Sequence, residues 1–297
     1  MKPKLLIVDL NHLLYRYGDR FFLEYITLEQ ALNNIDNAIK TVKDYIKSDK
    51  VIIVADLSCP SRKLYYKELL NNKDETEYKE GRKRNDKWDI LNNEVKKMLS
   101  NKYSYIRAFD YEADDIITSL VSRLNDKVEK YILTIDADLL PLIDEYTSIL
   151  LFRKNSQLDD VNKYVLFTKD NFERRIKDLK SFQARGITLN NFLLIKMLIG
   201  DKSDNIPRVA KHTSKNIVDF IKWTNLDKDF KWSYFLTNEE VSNELNKIIL
   251  NKKEKEQALI NFKLMKMNSS LGGRRNPFEV KKEMITKIGD HTIGKYK

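Results

Sequence analysis

Apolar positions in the first half of the chain follow two alternating periods. "KLLIVDL" (4–10) and "VIIVADL" (51–57) are short β-branched runs closed by polar residues, which predicts buried strands. "YSYIRAF" (103–109), "KYILTID" (130–136) and "SILLF" (148–152) predict three more. Between the first two, "LEQALNNIDNAIKTVKDYIK" (28–47) sets Leu28, Leu32, Ile35, Ala38 or Ile39, Val42 and Ile46 at helical spacing, and "IITSLVSRL" (116–124) repeats that period. Strands alternating with helices predict an α/β fold, a mostly parallel central sheet flanked by crossover helices. Beyond about residue 165 "NFERRIKDLKSF", "LNNFLLIKMLIG", "SKNIVDFIKW" and "NEEVSNELNKIIL" all carry the helical period. The expected organisation is an α/β core over 1–165 and an α-helical region over 166–297.

Residues 58–100 interrupt the alternation. They are long for one crossover and strongly charged in the middle, "KDETEYKEGRKRND". Charge alone leaves two readings open, a solvated helical excursion or a functional segment.

Charge changes the picture next. The 297 residues hold 54 Lys and Arg against 44 Asp and Glu, a net +10. A basic balance favours an anionic partner, nucleic acid first and an anionic membrane surface second. Part of the lysine excess is also what compositional drift would give. No apolar run approaches the length of a membrane span, so no membrane is expected. Cys59 is the only cysteine, which excludes a disulfide framework and a cysteine-based zinc site, and the expected compartment is a reducing cytoplasm. His12, His212 and His291 are widely spaced and read as ordinary polar residues.

Against this basic background the acids are placed with a pattern. Asp9 closes the first predicted strand, Asp56 the second, and Asp136 with Asp138 the fourth; Glu112, Asp114 and Asp115 open the helix after the third. In an open parallel sheet, strand C-termini and helix N-termini share one rim, where ligands bind. Asp201 and Asp204 in "IGDKSDNIP" follow a long apolar helix and are expected at the same rim. Singly, each has a bland reading as a helix cap or a turn residue. Together, nine carboxylates on one rim repel and raise one another's pKa values unless cations offset them. Oxygen-only ligands suit Mg²⁺, with Mn²⁺ able to substitute. Two such ions can hold and split a phosphodiester. Neither a P-loop nor a Ser–His–Asp arrangement is present. An acidic pit in a basic body is the footprint expected of a nuclease.

In order along the chain, "VDLNHLLYR", "VADLSCPSRKLYY…EYKEGRKR", "YEADDIITSL", "LTIDADLLPLI" and "IGDKSDNIP" resemble the 5′-nuclease superfamily over about residues 4–210. That superfamily contains flap endonucleases and 5′→3′ exonucleases, and the likeness points to its bacteriophage flap endonuclease and phage ribonuclease H branch. The resemblance implies a first metal cluster at Asp56, Glu112, Asp114 and Asp115, with Asp9 joined through water, and a second at Asp136, Asp138, Asp201 and Asp204. It turns residues 58–100 into a helical arch for a 5′ single strand. There Lys79 and Arg82 would act on the scissile phosphate, Tyr78 would stack on a base, and Arg62, Lys63, Lys83 and Arg84 would touch nucleic acid. It also implies a helix-turn-helix-like DNA-binding segment at about 200–222. The glycines the family carries in that segment are missing at Ala210 to Thr213. Their absence argues against a potassium site and leaves duplex contact to Arg208, Lys211 and Lys215.

The function so implied is a monomeric, Mg²⁺-dependent 5′-nuclease acting on flaps, nicks or RNA primers of duplex DNA in phage-type replication, with replisome proteins as further partners. Two other readings stand beside it. A PIN-type ribonuclease shares a rim of acids but lacks the long arch and the second D-x-x-D pair. A catalytically inactive DNA-junction binder would be expected to have lost acids that are all present here.

Overall fold

Six strands assemble into one sheet: β1 (Lys4–Asp9), β2 (Lys50–Val54), β3 (Ser104–Ile106), β4 (Glu129–Thr134), β5 (Thr147–Phe152) and β6 (Tyr164–Phe167). Their spatial order is β3-β2-β1-β4-β5-β6, and every neighbouring pair from β3 to β5 is parallel. The structure is a computed structural model that describes residues 2–57, 59, 86–152, 164–179, 182, 186–201, 206–209, 218, 257, 258 and 261. These fall into two compact units, one ending at Leu166 and one beginning at Phe167.

In the first unit β1 is central, with Ile7 level with Ile52 of β2 and Ile132 of β4. Five of its six residues are buried, as expected of a parallel strand covered on both faces. Three helices, α1 (Leu10–Phe22), α2 (Leu28–Ile46) and α3 (Asp86–Lys102), pack on one another. Leu13, Leu14, Ile35, Ile39, Leu91, Val95 and Leu99 share a core with Leu6, Val8, Val51 and Ile53, the residues of one strand parity. A fourth helix, α4 (Ala113–Leu124), contacts β1 and β2. α2 starts where it does because Thr27 and Gln30 cap it reciprocally. The Gln30 amide donates to Thr27 Oγ1 at 3.2 Å, and the Thr27 amide donates to Gln30 Oε1 at 2.8 Å.

The sheet, the parallel pairing and helix α2 follow the pattern of the sequence; several boundaries do not. The strands expected at 103–109 and 51–57 are shorter, and α4 begins three residues earlier than its apolar period suggests. α1 and β6 were not foreseen. Residues 86–100, counted with the arch from sequence, belong to the regular helix α3, whose Trp88, Leu91, Val95 and Leu99 are buried in the core. β6 adds a strand at the point where the helical region was expected to begin.

A buried polar knot ties α1 to the far side of the sheet. His12 Nε2 stands 3.1 Å from the Tyr164 hydroxyl, and Arg16 donates to that oxygen at 2.6 Å. The Arg16 guanidinium also lies 4.3 Å from the centre of the Phe152 ring. Burial, and then the Arg16 charge, push the His12 pKa down to about 3. The folded chain therefore keeps His12 neutral, while the unfolded chain protonates it below the ordinary histidine value of 6.5. This residue's contribution to stability is complete above that pH and is lost as the pH falls toward 3. Urea midpoints should show a wild-type loss of up to about 3 kcal/mol from this site between about pH 6.5 and 4. His12→Gln, which keeps a partner for Tyr164, should flatten that slope.

The second unit is built on aromatic packing. Phe172, at the start of the short α5 (Phe172–Arg175), meets Phe192 edge-on at 6.0 Å, and Phe182 lies 4.8 Å from the same ring. Phe192 belongs to α6 (Leu189–Ile199), opened by a Thr188–Asn191 capping box. Asn261 is buried, and its amide donates to the carbonyls of Met197 at 2.9 Å and Pro207 at 2.7 Å.

Candidate metal centre

The sheet order reverses between β1 and β4: one run continues to β2 and β3, the other to β5 and β6. At such a switch point the connections leave in opposite directions and open a crevice beyond the strand C-termini. Asp9 is the last residue of β1, and Asp136 lies two residues beyond β4. The two acids thus bracket the crevice that the topology creates.

Thr134 links the Asp9 side chain to the Asp136 backbone. Its hydroxyl donates to Asp9 Oδ2 at 2.8 Å and accepts the Asp136 amide at 3.0 Å. Asp136 Oδ1 then accepts the Asp138 amide at 2.8 Å, capping the 3₁₀ turn Ala137–Leu142. On the other side of β1, Asp56 stands just past the end of β2. Its Oδ1 accepts the Ala113 amide at 2.6 Å, its Oδ2 accepts Asn11 Nδ2, and α4 is thereby docked to β2 by its first residue. Asp115 Oδ2 accepts the Glu112 amide at 3.1 Å, and Glu112 itself is buried. Asp114 lies half-buried in the first turn of α4, and its backbone carbonyl accepts the Thr118 hydroxyl at 2.7 Å. Seven of the nine acids singled out from sequence thus lie at strand C-termini or at the adjoining helix starts.

Asp9 is the electrostatic centre. It is 5% exposed, and its Oδ1 is buried without a hydrogen-bond partner. Burial first, and then the charges of Asp56 and Asp136, push its pKa up to about 7 against the downward pull of the Thr134 hydroxyl and the Asn11 amide. A buried carboxylate facing two other acids, with one oxygen unpartnered, is disfavoured as an anion unless a cation lies beside it. The donor set is all oxygen, and one oxygen of the buried Asp9 carboxylate is left without a partner, so the residues fit a hard divalent ion. Among the described residues no three acids, histidines or cysteines are drawn close enough to cage an ion by themselves. The hydrogen bonds explain the spacing: Asp56, Asp115 and Asp136 are each held by nearby donors. Mg²⁺ tolerates such a site because it retains several waters and takes few direct carboxylates.

Asp201 belongs to the second unit. It follows Gly200, whose φ of +77° and close approach to Pro207 leave no room for a Cβ. Asp201 and Ile206 exchange backbone hydrogen bonds at 2.9 and 2.8 Å, which closes the 201–206 loop. Its carboxylate lies 3.0 Å from the Lys196 ammonium, an ion pair that sequence spacing did not suggest. Arg208 lies in the segment after that loop and is exposed. Asp204, Arg62, Lys63, Tyr78, Lys79, Arg82, Lys83, Arg84, Lys211 and Lys215 lie outside the described residues. Missed from sequence were Thr134 and Asn11, which hold acids in place. The only available hints were the T-x-D of "LTIDAD" and the D-x-N of "VDLN".

Residues 4–177 match the family described as 5′-3′ exonuclease, N-terminal resolvase-like domain. The chain belongs to the 5′-3′ exonuclease family. It is 26% identical to a 5′-3′ exonuclease of Buchnera aphidicola subsp. Schizaphis graminum, across 96% of this chain and 91% of that one. It is 28% identical over 176 residues to DNA polymerase I of Borreliella burgdorferi, a match that spans 59% of this chain but only 17% of the polymerase. A solved bacteriophage T5 flap endonuclease, in a complex with DNA and metal ions, superposes with a TM-score of 0.61 at 15% identity, covering 95% of this chain and 98% of that one. That likeness is one of fold, and it fits the six-stranded, mostly parallel sheet. A nuclease of this family is what an acid-lined switch point in a basic chain suits.

Proposed function

We propose that this 5′-3′ exonuclease family member is a Mg²⁺-dependent 5′-nuclease that hydrolyses phosphodiesters at 5′ ends, flaps or RNA primers of duplex DNA, as in primer removal during phage-type replication. The observation that carries the reading is the buried, half-unpartnered Asp9 carboxylate between Asp56 and Asp136 at the switch point of the sheet. Divalent ions held there would supply Lewis acidity toward the phosphodiester and charge neutralisation for the departing oxygen.

The chain's own residues do the rest. Asp56, Glu112, Asp114 and Asp115 offer oxygens from the end of β2 and the start of α4; Asp136 and Asp138 offer them from the end of β4. Asp201 and Asp204 are assigned to the second ion by their G-D-x-x-D-N spacing alone. Thr134 and Asn11 fix the rotamers of Asp9 and Asp56, the supporting role that ligating carboxylates usually need. Lys79 and Arg82 are assigned to the reacting phosphate, where a fixed cation orients and stabilises it. The DNA and metal ions bound to the T5 flap endonuclease are consistent with this reading.

A labelled 5′-flap duplex and a single-stranded RNA, each incubated with Mg²⁺ or with EDTA, test it. Mg²⁺-dependent release of the flap is expected. Cleavage of the RNA alone, or cleavage that survives EDTA, would contradict it. Duplex affinity should fall steeply with salt, by about 10³-fold between about 50 and 200 mM if six or more phosphates are contacted. A flat response in a titration at both salts would identify the lysine excess as compositional.

A further inference from the structure

Two large apolar side chains are left in water beside the acids. Phe109 is 67% exposed and Ile135 is 45% exposed. Ile135 is the first residue after β4, and Phe109 lies three residues after β3. β3, β2, β1 and β4 are consecutive in the sheet, so the two positions flank the rim at a distance of about three strand spacings, roughly 14 Å. The ends of β2 and β1, with Asp56 and Asp9, lie between them. The turn that carries Phe109 is held rather than loose. Asp110 adopts a left-handed φ of 68°, a conformation that a short polar side chain tolerates, and its carbonyl accepts the Cys59 thiol at 3.3 Å.

We propose that Phe109 and Ile135 form an apolar bracket around the acidic rim that receives nucleobases. Phe109 stacks on the base next to the phosphate held at the acids, and Ile135 packs against the nucleotide on the other side. This rests on the nuclease reading above. A nucleic acid strand presents charge and apolar faces in alternation, and a rim that takes the phosphate needs flat apolar surface to either side. An aromatic ring suits a structure-specific enzyme because every base has a π-face to stack on. Water is a poor environment for both side chains, and neither contributes to the core that folds the unit.

The test is a coupling measurement between protein and strand. Affinities of wild type, Phe109→Ala and Ile135→Ser are measured for a 5′-flap duplex in EDTA and for a series carrying one abasic site at each nucleotide across the junction. Phe109→Ala should weaken binding to the intact strand by about 5- to 100-fold, with Ile135→Ser at the low end of that range. The Phe109→Ala penalty should shrink to less than about 2-fold when the abasic site removes its stacking partner. Phe109→Trp should retain affinity, and its fluorescence should be quenched on binding. An equal penalty at every abasic position, or no penalty on the intact strand, would overturn the bracket. Because binding is read without cleavage, that outcome is separable from failure of the nuclease reading, which the Mg²⁺ assay with wild type decides.

Discussion

Asp136→Asn is expected to lower Mg²⁺-dependent cleavage of a 5′-flap substrate by about 10³-fold or more while leaving DNA binding intact. The substitution is nearly isosteric. Asn Oδ1 can still accept the Asp138 amide that now lies 2.8 Å from the Asp136 carboxylate, so the 3₁₀ turn keeps its cap. The only large change is one negative charge removed from the switch point. If Asp136 were merely a cap, that change would alter stability by roughly 1 kcal/mol or less and leave the rate alone. If it helps to hold an ion that stabilises transition-state charge, the loss is several kcal/mol of barrier, and each 1.4 kcal/mol is about tenfold in rate. Single-turnover cleavage beside anisotropy binding separates the two. Binding should hold or tighten slightly, because an acid facing the phosphates has gone. A wild-type rate would remove Asp136 from the metal centre.

Asp9→Asn should do the opposite to stability. The Asp9 carboxylate is buried, one oxygen lacks a partner, and Asp56 and Asp136 both push against its charge. An asparagine keeps an acceptor for Thr134 and turns a donor toward the neighbouring acids. In EDTA at neutral pH the variant should be more stable than wild type by about 1–3 kcal/mol. With divalent ion the order should narrow or reverse. An ion that binds only the folded wild type adds about 2.7 kcal/mol at 100 times its Kd, and the variant, lacking the charge, should gain little. Urea midpoints with and without Mg²⁺ check both halves. A destabilised variant in EDTA would mean that Asp9 is satisfied as an anion by contacts of the fold alone. Strain of this kind, kept at a functional site and released by neutralising it, is a common trade of stability for activity.

The acids at the rim were legible because they sit at a fixed phase of a strong pattern. β1, β2 and β4 are continuous apolar runs, and the first acids after them must fall at strand C-termini whatever the details of packing. α1 was not legible for the opposite reason. "LNHLLYRYGDRFF" interleaves His12, Arg16 and Gly18 with its apolar positions, and only the tertiary partners make sense of them. His12 Nε2 and Arg16 both meet the Tyr164 hydroxyl, 152 and 148 residues away in sequence. Gly18 faces Phe22 and Leu91, where a Cβ would come within 3.0 and 3.1 Å. β6 is only four residues long and follows a polar stretch, so no local period marks it. α4 begins early because Asp56, beyond the end of β2, accepts the Ala113 amide, a long-range bond that no window of sequence contains. The pairing of Lys196 with Asp201 likewise spans a helix end and a glycine turn.

Calorimetric titration of Mg²⁺ or Mn²⁺ into the metal-free chain bears most directly on the central claim, that these acids share a site which a divalent ion completes. The expected result is saturable uptake with two ions per chain, weakened or reduced in stoichiometry by Asp136→Asn. A wild-type chain that takes up no divalent ion, with Asp136→Asn giving the same trace, would contradict it.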